Sequence, residues 1–297
     1  MSVAVIVNPI SGTGGDADIA RARAALAMSL LDARKIDGAV HLTEGVGHAR
    51  ELTKTALERG ASTVIAWGGD GTMNEVASAL AFRDASLGLV PSGSGNGLAR
   101  ELRIPFDPTA AFAVALGSRE RRIDCGDIDG HLFFNIAGMG LEARVAERFS
   151  AGGLARRGFR RYIEVTLREL FRPVAEQHTV IADGVEIRQR TLLLTVANSR
   201  QYGNGAIIAP RAKLDDGKLD VVMVSARSGL IALLQAPLLF LGAAAAVPGV
   251  TMLTASQIEI ASEHPVLYHV DGETHVGAAR IVAQVHPLAL RVRVPVG

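Results

Sequence analysis

The sequence has little of several features that mark specialised proteins. It has one cysteine, Cys125, among 297 residues, so no intramolecular disulfide can form and a reducing compartment is favoured. Aromatic residues make up 4% of the chain and the formal net charge is +1, which argues against base-stacking surfaces and against a general attraction to nucleic acid. The eight histidines show neither HxxxH nor HExxH spacing, so no zinc site is predicted.

Neither a leader peptide nor a membrane span is expected. The N-terminal residues lack a basic region, and their apolar run is too short for a signal peptide. Residues 228–258 carry no charge, and Leu230–Val247 is apolar enough to raise the question of a transmembrane helix. Because Pro237 and Pro248 interrupt this stretch, a buried or interfacial helix is the favoured interpretation.

The first 122 residues alternate short apolar runs with helical segments. The runs that predict buried strands are Val3–Val7, Gly38–Leu42, Ser62–Ala66 and Ser86–Pro91. This order of strands and helices predicts a parallel sheet with helices on both faces. The chain length favours two domains, and the change of pattern after residue 122 divides the chain into domains of residues 1–122 and 123–297.

Three polar, glycine-rich loops follow strands of this predicted sheet. They comprise residues 8–15, 68–72 and 92–97. The carboxyl ends of parallel strands lie at one edge of the sheet, where such folds bind ligands. Glycine allows a close backbone approach, and a helix N-terminus offers N–H groups to an anion. The loops therefore predict an anion-binding site, although a set of ordinary tight turns would show a similar composition.

The middle loop carries one acid, Asp70, among three glycines. An acid beside phosphate-binding amides usually acts through a metal ion or on a hydroxyl proton, so Asp70 is a candidate catalytic residue. The alternative is a turn with Asp70 in solvent. Thr72 and Glu75 have the spacing of a capping box, which predicts that they cap the helix after this loop.

From residue 123 the pattern changes to short β-rich runs, which predict an antiparallel, sandwich-like domain. Within it, Asp129-Gly130 predicts a hairpin and Gly138–Phe149 predicts a helix. The final run, Leu288–Val294, is expected to be an edge strand, which either returns to the first domain or pairs two copies in a homodimer.

Gly152–Arg172 predicts a basic amphipathic helix. Such a helix either has a solvated face or sits on anionic lipid. Its basic side chains are Arg156, Arg157, Arg160, Arg161, Arg168 and Arg172.

Six segments together resemble the diacylglycerol kinase catalytic-domain family. This family includes bacterial lipid kinases, sphingosine kinases and ceramide kinases, with NAD kinases as distant relatives. The segments, in chain order, are residues 7–12, 68–75, 91–100, 134–143, 213–220 and 270–273. Their order and spacing match the family over nearly the whole chain.

The resemblance implies an α/β fold, with a doubly wound N-terminal nucleotide-binding domain and a C-terminal antiparallel β-sandwich for the lipid substrate. It implies transfer of the γ-phosphoryl group of ATP to a lipid hydroxyl, with Mg²⁺, by a cytoplasmic enzyme peripheral to the inner face of an anionic membrane. The implied nucleotide-binding residues are Asn8, Pro9, Ile10, Ser11, Gly12, Thr43, Gly68, Gly69, Asp70, Gly71, Thr72, Met73, Asn74 and Ser94.

The resemblance also implies that Glu273 accepts the proton of the lipid hydroxyl, and Asp271, in the same turn, is a further candidate catalytic residue. A magnesium site would be formed by Lys213, Asp216 and Lys218, with the two lysines acting through main-chain carbonyls. Read without the resemblance, the same residues form an acidic turn that needs no metal.

Two positions bear on the substrate. Bacterial lipid kinases often have Asp where this chain has Gly97, so this segment is more similar to that of the sphingosine and ceramide kinases. This difference weakens the prediction that diacylglycerol is the substrate. Glu142 lies where many members carry an acid, and it either touches the lipid head group or forms a helix cap or salt bridge.

Three functions remain in competition. The leading one is an ATP-dependent lipid kinase. The second is an enzyme like NAD kinase, against which the segments 94–100 and 215–218 argue. The third is a nucleotide-binding regulatory protein without turnover, against which the presence of Asp70, Asp271 and Glu273 argues.

Overall fold

The computed structural model describes residues 2–12, 17–151, 159–171, 175–203, 205–226 and 229–296. The chain forms two compact units, one of Met1–Ile123 with Leu288–Gly297 and the other of Asp124–Pro287. Of the arginines in the predicted basic helix, Arg156, Arg157 and Arg172 lie outside the described residues.

The first unit alternates strands and helices in the predicted order. Its elements are β1 (Val3–Val7), α1 (Ala17–Asp32), β2 (Gly38–Leu42), α2 (His48–Glu58), β3 (Thr63–Gly68), α3 (Asp70–Leu80), β4 (Ser86–Pro91), α4 (Gly97–Glu101) and α5 (Pro108–Ala115). The four strands are parallel in the order β2-β1-β3-β4. Strands β1, β3 and β4 are buried throughout, as expected for strands covered on both faces.

Helix α5 packs closely on β4 because Gly88 has no side chain. A Cβ atom at Gly88 would lie 2.7 Å from the Cβ of Ala115. Nearby, the rings of Trp67 and Phe112 meet edge to face with centroids 5.7 Å apart. These contacts give the unit a tightly packed core under the end of the sheet that carries the loops.

The second unit consists mainly of antiparallel strands. Its elements, two of which continue from or into the first unit, are β5 (Glu120–Ile128), β6 (His131–Phe133), β7 (Ile136–Gly140), α6 (Leu141–Ala151), α7 (Phe159–Leu170), β8 (Glu176–Ala182), β9 (Val185–Ala197), β10 (Gln201–Gly203), β11 (Ala206–Ile207), β12 (Leu219–Ser225), α8 (Gly229–Phe240), β13 (Val250–Ala255), β14 (Gln257–Ser262), β15 (Leu267–Val270), β16 (Glu273–Val276) and β17 (Arg280–Arg293).

Strand β9 belongs to both layers of this sandwich. Its first half pairs with β8, while its second half lies between β7 and β12. One buried cluster contains Val180 of β8, Leu194 of β9, Val221 of β12 and Tyr268 of β15. Side chains from both sets of strands therefore share one core, and the predicted fold, an α/β N-terminal domain with a C-terminal β-sandwich, is confirmed.

The predicted helix over Gly138–Phe149 was wrong in its first turn. Residues Ile136–Gly140 form β7, and the helix α6 begins at Leu141. Strand β7 pairs with β9 on one side and with β15 on the other. This pairing, formed with strands distant in sequence, overrides the local helical pattern.

The final run, Leu288–Val294, returns to the first unit, which is one of its two predicted alternatives. Residues 288–293 continue β17, and Arg291 and Val292 pair in parallel with Ser86 and Leu87 of β4. That edge of the strand is therefore already paired within the first unit. A homodimer stays a prediction, but it cannot form by pairing at this edge. Within the uncharged stretch, Gly229–Phe240 form the 12-residue helix α8, and among the described ranges no helix is long and apolar enough to span a membrane.

The carboxylate of Asp183, in the turn between β8 and β9, is held by main-chain donors. It accepts hydrogen bonds from the N–H groups of Gln257, at 2.9 Å, and Ser256, at 3.0 Å. These hydrogen bonds lower the pKa of Asp183 to about 2. The contact fastens the β8–β9 turn to the start of β14.

Replacing Asp183 with Asn should lower the melting temperature at neutral pH and make stability less dependent on pH in acid. Because the folded-state pKa lies below the unfolded value of about 4, the stabilisation is present above that value and is lost as the pH falls toward 2. Thermal unfolding of both proteins across this range should give curves that converge in acid. A constant separation would contradict the assignment, and Glu263→Gln, which changes an exposed carboxylate, serves as the control.

Candidate functional site

The first loop, which follows β1, is joined to both other loops by hydrogen bonds. The Asn8 Nδ2 donates to Thr72 Oγ1 at 2.8 Å. The Ser11 hydroxyl lies 2.6 Å from the hydroxyl of Ser92. The structure thus brings the three glycine-rich loops together at one edge of the sheet, as the βαβα pattern predicts.

Arg23 of α1 supports the first loop from beneath. Its guanidinium donates to the Asn8 carbonyl oxygen at 3.0 Å, to Ser11 Oγ at 2.9 Å and to the Ser11 carbonyl oxygen at 3.0 Å. Burial lowers the pKa of Arg23. Sequence reasoning missed this residue because α1 has two arginines, Arg21 and Arg23, and no local pattern distinguishes one from the other.

Asp70 fastens the second loop to the third. Its Oδ2 accepts the N–H of Asn96 at 2.8 Å, and its Oδ1 accepts the N–H of Gly97 at 2.7 Å. The two loops touch backbone to backbone, since a Cβ at Gly93 would lie 2.5 Å from the Cα of Gly69. Asp70 is therefore not a free acid in solvent, and its catalytic role stays a prediction.

The capping box predicted for Thr72 and Glu75 was wrong. Helix α3 begins at Asp70, so Thr72 lies inside the helix, and no side chain caps its first residue. Glu75 instead accepts the N–H groups of Gly47, at 2.8 Å, and Ala49, at 2.9 Å, at the start of α2. Glu75 therefore caps the neighbouring helix.

The remaining predicted nucleotide-binding residues differ in accessibility. Thr43 follows β2 directly and is buried, as are Gly68, Met73 and Asn74. The exposed residues are Ile10, Gly12, Gly71 and Ser94. The N–H groups of the first turn of α3 have no acceptor within the helix, which is the arrangement that attracts an anion.

In the second unit, the turn Asp271-Gly272 joins β15 to β16. Both residues have positive φ, 47° and 93°, as a two-residue hairpin requires. The Asp271 carboxylate accepts the N–H groups of Phe134 at 2.9 Å, Asn135 at 3.0 Å and Ile136 at 3.1 Å. Asp271 thus anchors the turn, while Glu273 beside it is exposed.

Glu142 lies inside the second unit and not at its surface. Its side chain is 1% exposed and lies 3.6 Å from His269, and burial raises the pKa of Glu142. These contacts favour a role inside the protein over contact with a lipid head group.

The acidic turn is held by hydrogen bonds of its own. The Gly217 N–H donates to the carboxylate of Asp124 at 2.7 Å, and the Lys218 N–H donates to that of Asp216 at 3.1 Å. Over the described ranges, no group of three His, Cys, Asp or Glu residues could hold a metal ion. The predicted site, which also uses the carbonyls of Lys213 and Lys218, stays a prediction.

Replacing Asp70 with Asn should reduce the free energy of unfolding by about 1–3 kcal/mol, because one of the two buried N–H groups would face an amide N–H₂ in place of an acceptor. Chemical denaturation measures this difference. Asp32→Asn, which changes an exposed acid at the end of α1, is the matched control. Equal stability of wild type and Asp70→Asn would contradict the clamping role.

Comparisons with known proteins agree across both units. The family described as "Diacylglycerol kinase catalytic domain" matches residues 2–128, and the family described as "YegS C-terminal NAD kinase beta sandwich-like domain" matches residues 135–294. A crystal structure of a diacylglycerol kinase from Bacillus anthracis shares the fold, with a TM-score of 0.80 over 99% of this chain and 97% of that one, at 23% identity.

Two curated relatives are similar over most of their length. The chain is 33% identical over 278 residues to a probable lipid kinase YegS-like from Pseudomonas aeruginosa, covering 93% of this chain and 90% of that protein. It is 31% identical over 266 residues to a diacylglycerol kinase from Mycobacterium tuberculosis, covering 87% and 84%. With these matches over both units, the chain belongs to the diacylglycerol kinase catalytic-domain family of lipid kinases.

Proposed function

We propose that the protein is an ATP-dependent kinase that transfers the γ-phosphoryl group to the hydroxyl of a lipid such as diacylglycerol or sphingosine. The observation that carries this proposal is the convergence of three glycine-rich loops at one edge of the sheet. Phosphoryl transfer depends mainly on positioning and on neutralising charge, which main-chain amides in fixed loops provide. Membership of a lipid kinase family supports the same reaction class.

The residues present fit the phosphates of ATP. Gly12, Gly71 and Ser94 expose backbone at the loops, and α3 directs its N-terminus to the same region. Asn8, Arg23 and Asp70 are engaged in holding the loops, so the anion would meet a framework that is already formed.

In the proposed mechanism Glu273 accepts the proton of the lipid hydroxyl as its oxygen attacks the γ-phosphorus and ADP leaves. The turn that carries Glu273 is fixed by Asp271, which makes Asp271 a positioning residue. Mg²⁺, when bound, would neutralise charge on the phosphates. Carboxylate oxygens accept more than one partner, so the occupied oxygens of Asp70 and Asp216 remain compatible with it.

Glu273→Gln should lower kcat by about 10²-fold or more while leaving ATP binding unchanged, because the amide cannot take the hydroxyl proton. The measurement is transfer of label from ATP to a panel of lipids in mixed micelles, with NAD as a second acceptor. Glu263→Gln, an exposed carboxylate on another loop, is the control.

The acceptor that carries the label decides among the three functions. Transfer to NAD alone would place the protein with the NAD kinases. ATP binding without transfer would favour a regulatory protein, and full activity of Glu273→Gln would overturn the assignment of the base.

We also propose that the protein is cytoplasmic and contacts an anionic membrane through α8. This helix carries no charge, and it exposes Ile231, Leu234 and Leu238, with Leu241 just beyond its end. Their spacing of three, four and three residues places them on one face. A contiguous exposed apolar face of this kind fits the interface of a bilayer, from which a lipid kinase must take its substrate.

Helix α7, which packs against α8, adds charge to this part of the unit. Its Arg168 side chain is 70% exposed and pairs with Glu164 at 2.8 Å, and Phe171 follows the helix as an exposed aromatic. A guanidinium has five N–H donors, so Arg168 can contact an anionic head group while it stays paired with Glu164.

The double variant Leu234→Gln with Leu238→Gln should bind vesicles of phosphatidylcholine and phosphatidylglycerol about tenfold more weakly, because both leucines lose apolar contact with lipid. Co-sedimentation measures the binding. Leu26→Gln with Met28→Gln replaces two exposed apolar residues of α1 as the matched control. Unchanged vesicle binding would contradict the proposal, and loss of self-association instead would identify the face as a dimer contact.

A further inference from the structure

Three neighbouring strands place Thr195, Gly138 and His269 side by side. Gly138 of β7 is paired directly with Thr195 of β9 on one side and with His269 of β15 on the other. Directly paired residues direct their side chains to the same face of a sheet. Gly138 therefore leaves a gap between the side chains of Thr195 and His269.

The carboxylate of Glu142 fills this gap. A Cβ atom at Gly138 would overlap the Glu142 carboxylate and would lie 2.5 Å from His269 Nε2. Thr195 Oγ1 donates to Glu142 Oε1 at 2.6 Å, and Glu142 Oε2 lies 3.6 Å from His269 Nε2. Thr195 and His269 are thus the polar side chains that lie beside the buried acid.

His269 connects this buried group to the hairpin turn. Its Nδ1 accepts the N–H of Gly272 at 3.3 Å. An imidazole nitrogen that accepts a hydrogen bond carries no proton, so the proton of the neutral ring lies on Nε2, facing Glu142. The Nε2–H tautomer of His269 thus turns an acceptor toward the Gly272 N–H and a donor toward Glu142 Oε2.

The turn is held from two sides. The Asp271 carboxylate accepts the N–H groups of residues 134–136. His269 Nδ1 accepts the N–H of Gly272, the residue after Asp271. His275 on β16 interacts electrostatically with His269, with Glu273 and with His131.

We propose that Glu142 and His269 form a positioning pair for Glu273. The Glu142 carboxylate holds the His269 tautomer that accepts the Gly272 N–H, and this hydrogen bond fixes the turn from which Glu273 projects. The proposal rests on the proposed role of Glu273 as the base. It assigns to the acid of the 134–143 segment a task inside the protein and not at the lipid head group.

Kinetics of three variants test this pair. His269→Leu should lower kcat about tenfold or more with the KM for ATP nearly unchanged, because a small displacement of the base is costly to the rate. His269→Asn should recover most of the lost kcat, since its side-chain oxygen can accept the Gly272 N–H. Glu142→Gln should lie between these two. His264→Leu, an exposed histidine before β15, is the matched control.

A double-mutant cycle tests whether the pair acts through Glu273. Adding His269→Leu to Glu273→Gln should cause no further loss of kcat, because the group being positioned is already absent. Fully additive losses, or equal kcat for His269→Leu and wild type, would overturn the proposal.

Nitrogen NMR of isotope-labelled histidine gives a readout that does not depend on kinase activity. Wild-type His269 should show the neutral Nε2–H form, and the Gly272 amide should exchange with solvent faster in His269→Leu. An imidazolium or an Nδ1–H ring in the wild type would overturn the pair. If the wild type transfers no phosphate, the proposed function fails while this spectrum still decides the pair.

Discussion

A single carboxylate, that of Asp70, holds the second and third loops of the first unit together. The third loop lies so near the second that its backbone N–H groups at residues 96 and 97 lose access to water, and Asp70 replaces that water with two acceptor oxygens. Glycine at positions 69 and 93 removes the side chains that would keep the backbones apart. The links from Asn8 to Thr72 and from Ser11 to Ser92 join the first loop to this pair.

The positions of the strands and loops in the first unit could be predicted because β1, β3 and β4 are uninterrupted apolar runs. The hydrogen-bond partners of the polar side chains could not be predicted. Glu75 has the spacing of a capping box, yet the helix starts earlier than that box requires and Glu75 reaches another helix. Arg23 gains its role only when α1 passes beneath the first loop, which no local pattern records.

In the second unit, the hairpin at Asp271 could be predicted because Asp-Gly tolerates two positive φ angles in succession. Strand β7 could not be predicted, since its last three residues have the pattern of the start of a helix and the strand forms by pairing with the distant β9 and β15. The surroundings of Glu142 depend on those same pairings. Glu142, an acid in a helical pattern, is therefore buried beside His269. Only the register of the sheet reveals this burial.

Strand β17 has a consequence for the order of folding. Residues 291 and 292 complete the pairing of β4, yet they are synthesised after every residue of the second unit. During translation, one edge of β4 therefore stays unpaired until residues 291 and 292 have been synthesised. An unpaired strand edge can pair with other chains. The first unit reaches its complete sheet only after the sandwich strands have emerged from the ribosome.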